Sequence, residues 1–96
     1  MASSTIKKEL AGFSKGTTAT LPQTFDKSGI LIISINPSTT ATNGYCILSD
    51  GTSNLVFSVG AGGTSGTFCL PIVANTTVTQ NTIGNCNVTY IFVPLI

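Results

Sequence analysis

A chain of 96 residues is enough for one domain, and a domain of that size buries about two-thirds of the surface its unfolded chain exposes. Only 7% of the residues are charged and 42% are hydrophobic, against about 25% charged in an average soluble domain; this balance excludes disorder, which goes with low hydrophobicity and high charge. The formal net charge is +1, with lysine the only cation and no Arg or His, so no basic patch exists to release counterions from nucleic acid, and the longest nearly apolar runs, residues 30–35 and 90–96, fall far short of the ~20 residues of a membrane helix.

Residues 1–16 read as an amino-terminal arm or short helical turn. Ile6, Leu10 and Phe13 recur at helical spacing, Ser3 or Ser4 offers a cap, and Gly12 and Gly16 end the turn early. The opening residues have no apolar core of the secretory type, so no leader is expected and the thiols are expected to remain reduced. Residues 17–96 read as the folded domain, rich in Thr, Val, Ile, Phe and Tyr, which suit pleated strands. Strands are expected over 17–21, closed by Pro22, and over 29–36, closed by Pro37 and followed by a polar loop at 38–43. The next strand is 45–49, joined through Asp50-Gly51, a type I′ hairpin signal, to a strand over 54–59. A glycine-rich loop at 60–66 leads to a strand over 67–73, whose Pro71 suits an edge or a bulge. Asn75 begins a turn before a polar strand at 76–80, residues 81–85 turn again, and the last strand runs from Cys86 to the end. Seven or eight short strands with a turn signal about every ten residues predict an all-β fold, a small antiparallel β-sandwich or jelly roll. No helical segment separates them, which excludes a parallel βαβ sheet.

Alternate residues of a strand point to opposite faces. In the last strand Val88, Tyr90 and Phe92 share one face, and Ile91, Val93 and Leu95 share the other. The strand over 29–36 is likewise two-faced, with Leu31, Ile33 and Ile35 against Ile30 and Ile32. A two-layer sandwich buries one face of each sheet, so these second faces need a cover, either a segment of the same chain or a neighbouring subunit. The subunit is the favoured cover, which makes Ile30, Ile32, Ile91, Val93 and Leu95 the expected subunit interface. Burying an Ile stabilises by about 1.5–3 kcal/mol, and leaving such side chains wet on a nearly uncharged surface invites aggregation. The terminal Pro94-Leu95-Ile96 is expected to be packed.

The chemistry of catalysis is sparse. There is no His, and the acidic residues are Glu9, Asp26 and Asp50, which form no carboxylate pair. A Ser or Cys nucleophile would have only Lys as its base, so no enzyme and no catalytic residue is expected. Cys46, Cys69 and Cys86 contain no Cys-x-x-Cys pair and have no His beside them, which argues against zinc. They read as three small apolar core residues, with one disulfide and a free thiol as the alternative. Gly60 to Gly66 lacks the Lys-Ser/Thr ending of a phosphate loop, and Asp50 alone builds no calcium site; no cofactor or metal is expected. Two Asn-x-Thr sequons, at Asn75 and Asn87, read as chance in a Thr- and Asn-rich chain.

One set of motifs goes further. Gly66-Thr67-Phe68-Cys69-Leu70-Pro71-Ile72-Val73, then Asn75-Thr76-Thr77-Val78-Thr79, then the closing strand with Tyr90-Ile91-Phe92-Val93-Pro94-Leu95 resembles the carboxy-terminal β-domains of tailed-bacteriophage fibre and other virion-surface proteins. The likeness covers about the last forty residues. It implies a homotrimeric sandwich or jelly roll on the virion exterior, made in the host cytoplasm, that attaches to a host or decorates and stabilises the capsid. A chain beginning at its own Met with no shaft fits a head-decoration protein at least as well as a fibre tip. The arm then docks onto a larger capsid or fibre protein, with Lys7 and Lys8 pairing acidic groups there. A receptor- or glycan-binding tip is the alternative, for which Asn43 and Tyr45 are the candidate sugar contacts.

Overall fold

The computed structural model describes residues 16–38 and 43–95. Among them are eight β-strands and no helix: β1 (Thr17–Ala19), β2 (Gln23–Phe25), β3 (Gly29–Pro37), β4 (Gly44–Ser49), β5 (Asn54–Val59), β6 (Gly66–Ile72), β7 (Thr76–Gly84) and β8 (Cys86–Pro94). They form two four-stranded antiparallel sheets, ordered β1-β8-β3-β6 and β2-β7-β4-β5. The partners β1–β8, β2–β7, β3–β6 and β4–β5 are those of one long folded ribbon. Rolling that ribbon up adds the β3–β8 and β4–β7 ladders, which is the winding of a jelly roll. The all-β sandwich expected from turn spacing and alternation is therefore the fold adopted.

The core is the set of side chains the two sheets turn toward each other. Leu31, Ile33 and Ile35 on β3 are fully buried, as expected of alternate β3 residues, and meet Cys46 and Leu48 of β4. Tyr90 and Phe92 of β8 point the same way, and the rings of Phe92 and Phe25 lie 4.5 Å apart between centroids. On the side where both sheets end, Phe57 of β5 and Phe68 of β6 close the gap, 5.3 Å between centroids. Gly29 is demanded by packing: a Cβ there would stand 2.4 Å from the Val93 carbonyl oxygen and 2.8 Å from the Phe92 ring.

Several local expectations are revised. β2 was not anticipated, because Gln23–Phe25 offers only one apolar residue; its strand character comes from pairing with β7, where the Thr24 and Thr77 hydroxyls lie 2.7 Å apart. β7 continues to Gly84 instead of turning at 81, since a register shift between Ile47 and Leu48 of the facing β4 absorbs one residue and Asn81 Nδ2 donates to Asn54 Oδ1. The turn is reduced to Asn85, at φ 56°. The β4–β5 connection is also not a two-residue type I′ turn. Gly51 has positive φ but Asp50 does not, and the Asp50 carboxylate accepts from the backbone N–H groups of Thr52 and Ser53, making a four-residue loop. Pro71 does lie on an edge strand, since β6 pairs only with β3.

Leu95 is 45% exposed in the single subunit, its backbone N–H donating to the Ser28 carbonyl at 2.9 Å, so the expected packing of its side chain is not met within the described residues and is left to the expected subunit contact. The expected helical turn with Ile6, Leu10 and Phe13, the residues Lys7 and Lys8, Ile96 and positions 39–42 of the polar loop lie outside the described residues.

Candidate functional site

The outward face of the β1-β8-β3-β6 sheet brings one group of partly exposed apolar side chains into adjacent rows, apart from the exposed Leu55, Val56, Val73 and Ile83 elsewhere. Register fixes the grouping. Ile30 stands between Pro71 of β6 and Val93 of β8, and Ile32 stands between Cys69 and Ile91, with Thr18 of β1 beyond Ile91. These form two adjacent cross-strand rows. Ile30, Ile32 and Val93 are half-buried by one another, Ile91 is 43% exposed, and Pro71 and Cys69 are exposed. Further along the same strands the face turns polar: Ser34 lies between Thr67 and Thr89, and Asn36 is opposite Asn87. The apolar half is therefore a bounded patch with a hydroxyl and amide border.

Among the described residues, no strand carries a charged side chain. Of the described charges, Asp26 and Lys27 sit in the connection to Gly29 and Asp50 sits in the β4–β5 loop. Gly16 enters the sheet beside the patch, its Cβ direction 3.0 Å from the Cγ2 methyls of both Ile91 and Val93. Four of the five residues expected at a subunit interface, Ile30, Ile32, Ile91 and Val93, are thus brought together, and Leu95 follows directly after the end of β8.

Sequence reasoning missed two members of this face, Cys69 and Pro71. Cys69 was expected in the core, but in β6 the inward positions are Phe68, Leu70 and Ile72, so the period of two sends Cys69 outward. All described cysteines are free thiols.

The candidate sugar contacts have a different setting. Tyr45 lies on the outward face of the other sheet with its ring over Gly84, whose Cβ direction is 2.1 Å from Tyr45 Cε1. The ring fills the gap left by the glycine, an arrangement known to rescue glycine in strands. Asn43 is exposed, and its carbonyl accepts from Asn85 Nδ2 at 3.4 Å.

Inside the sandwich, the Tyr90 hydroxyl donates to Gln80 Oε1 at 2.5 Å and lies 3.5 Å from the Cys46 Sγ. Burial raises the pKa of both the Tyr90 phenol and the Cys46 thiol, so each is protonated at neutral pH. The cluster satisfies core polar atoms and presents no nucleophile. Among the described residues, no three His, Cys, Asp or Glu side chains come together as a metal site would need. A mainly apolar pocket of about 200 Å³ opens at one end between the sheets, where Leu48 and Leu55 face Leu70 and Ile72.

Comparison with known proteins found no family model, curated relative or solved structure that matches the chain.

Proposed function

We propose that the chain is a non-enzymatic structural protein of a virion, an oligomeric β-sandwich on the particle exterior that decorates or stabilises the capsid or forms part of a fibre. One observation carries this reading: Ile30, Ile32, Ile91 and Val93, with Cys69 and Pro71, make a contiguous apolar patch on the solvent side of a sheet, and none of the described strands holds a charge. Exposed apolar patches with polar borders mark protein–protein contacts. A surface of hydroxyls and amides, with few charges to steer or repel a like neighbour, suits a permanent assembly better than a transient encounter.

The jelly-roll winding accommodates many functions, virion shells among them, so it supports the reading only in company with the patch. The virion assignment draws on the resemblance of the closing strands, and it favours a trimer in which the patch of one subunit meets its neighbours. The amino-terminal residues, with Lys7 and Lys8, join the sandwich beside that patch at Gly16 and are proposed to dock onto a larger capsid or fibre protein.

Light scattering coupled to size-exclusion chromatography tests the assembly. A trimer of 9.8-kDa chains weighs three times that, about 29 kDa, and a monomer at micromolar concentration contradicts the proposal. Protease treatment of purified particles tests the location, since an exterior protein is the first to be cut or released, and its absence from the particles contradicts the virion role.

A further inference from the structure

The edges of the second sheet are unequal. β2 at one edge is three residues long, and β1 at the corresponding edge of the first sheet is equally short. β6, the other long edge, carries Pro71, which lacks an N–H. β5 is six residues long, Asn54-Leu55-Val56-Phe57-Ser58-Val59, with no proline, no charge and no bulge. Edge strands are ordinarily protected by such devices, because a row of free N–H and C=O groups is a template for another strand.

The direction of those free groups follows from the β4–β5 loop. The backbone bond from Asp50 N–H to the Ser53 carbonyl, 3.3 Å, closes the hairpin. Antiparallel pairs alternate between bonded and non-bonded, so Leu55, Phe57 and Val59 exchange bonds with β4 while Asn54, Val56 and Ser58 turn their backbone groups outward. Both faces of this edge are also wet: Leu55 on the inner side is 45% exposed and Val56 on the outer side 64%.

We propose that β5 pairs with β5 of a second copy, antiparallel about a two-fold axis at Val56, joining two second sheets into one continuous eight-stranded sheet. The sequence of β5 is self-complementary in this register. Val56 meets Val56 of the other copy, Leu55 meets Phe57, and Asn54 meets Ser58, so apolar faces apolar and polar faces polar over residues 54–58, with Val59 left beyond the paired stretch. The same register brings the outward backbone groups of Asn54, Val56 and Ser58 opposite one another as bonded pairs. Sliding by two residues in either direction sets Val56 against Asn54 or Ser58 and leaves only two of the three outward-bonding positions facing one another, so this register is preferred. The uncharged strand offers nothing to repel its own copy. This contact uses a different sheet from the Ile32 patch, and a two-fold edge contact combined with a face contact propagates an assembly beyond a single ring.

Hydrogen exchange on the full chain across a dilution series tests the pairing. The amides of Asn54, Val56 and Ser58 should slow by about tenfold or more on concentrating the protein, both in the wild type and in Ile32→Asp, which breaks the other face. Val56→Pro deletes an outward N–H without touching the β4 ladder. In it the Asn54 and Ser58 amides should exchange at a rate independent of concentration, while Leu55 and Phe57 keep their protection as evidence of folding. Val56→Lys, which sets like charges opposite one another, should do the same. Fast exchange at these amides at every concentration overturns the proposal. So does protection that persists at the lowest concentration, which would assign the edge to another segment of the same chain.

Discussion

The two sheets turn different faces to solvent although both are built from alternating strands. On the first sheet, the outward rows Pro71–Ile30–Val93 and Cys69–Ile32–Ile91 bring apolar groups side by side. On the second, Thr24 pairs with Thr77, Ser49 lies between Asn54 and Thr79, and Tyr45 lies between Ser58 and Gly84; only Ile47 and Val56 form an apolar pair. On this face the Thr24–Thr77 and Asn81–Asn54 contacts and the Tyr45 ring on Gly84 are made within the subunit, while Val56 at its edge stays exposed. Among the described residues, no such contact covers the apolar rows of the first sheet. The lesson is that oily residues on a strand mean core or contact according to register, and register is what the fold supplies.

Neighbouring isoleucines on β3 separate these meanings most sharply. Ile33→Ala removes a fully buried side chain and should cost about 2–5 kcal/mol in denaturant unfolding. Ile32→Ala, one residue away on the outer face, should cost the dissociated subunit less than about 1.5 kcal/mol and act mainly on assembly. Equal losses from the two would erase the distinction between the faces.

Charge placed on each outer face gives the next largest effect. Ile32→Asp should weaken self-association by about 30-fold or more, the roughly 2 kcal/mol expected of a central contact residue, as read by sedimentation equilibrium. Ile47→Asp, its counterpart on the second sheet, should leave the patch contact intact. Tyr45→Ala should lower subunit stability by about 0.2–1 kcal/mol, the scale of a cross-strand pair, without changing patch-mediated association; a change in association would move the interface to the other sheet.

The smallest effect is electrostatic. The N–H groups of Ser53 and Thr52 hold the Asp50 carboxyl below its usual pKa. Its contribution is therefore present above the ordinary aspartate pKa of about 3.9 and is lost as pH falls through the lowered value. The β4–β5 loop should loosen only in acid, seen as faster exchange of the Thr52 and Ser53 amides. Patch-mediated association, with no charge in the patch, should be nearly indifferent to salt.

Much of this was legible in the chain itself. Alternation identified both faces of β3 and β8, β5 was bounded correctly at Asn54 and Val59, and Pro71 marked an edge or a bulge, of which the structure has the edge. The pieces that escaped depend on distant partners. β2 is a strand because β7 lies beside it, and β7 outlasts its turn signals because β4 shifts register and Asn54 receives Asn81. Asp50-Gly51 located the loop but not its geometry, since a carboxylate that accepts two backbone N–H groups prefers a longer turn. Cys69 hid in an apolar run, and its place in the patch required knowing that it sits opposite Ile32.

Cys69 is also the most direct probe of the central claim. It is exposed in a single subunit and lies within the patch, whereas Cys46 is buried. Alkylation of Cys69 should be slow in concentrated protein, quicken on dilution and be fast throughout in Ile32→Asp. A Cys69 thiol that reacts at the rate of a free, exposed cysteine at every concentration would contradict the account, because nothing would then cover the face.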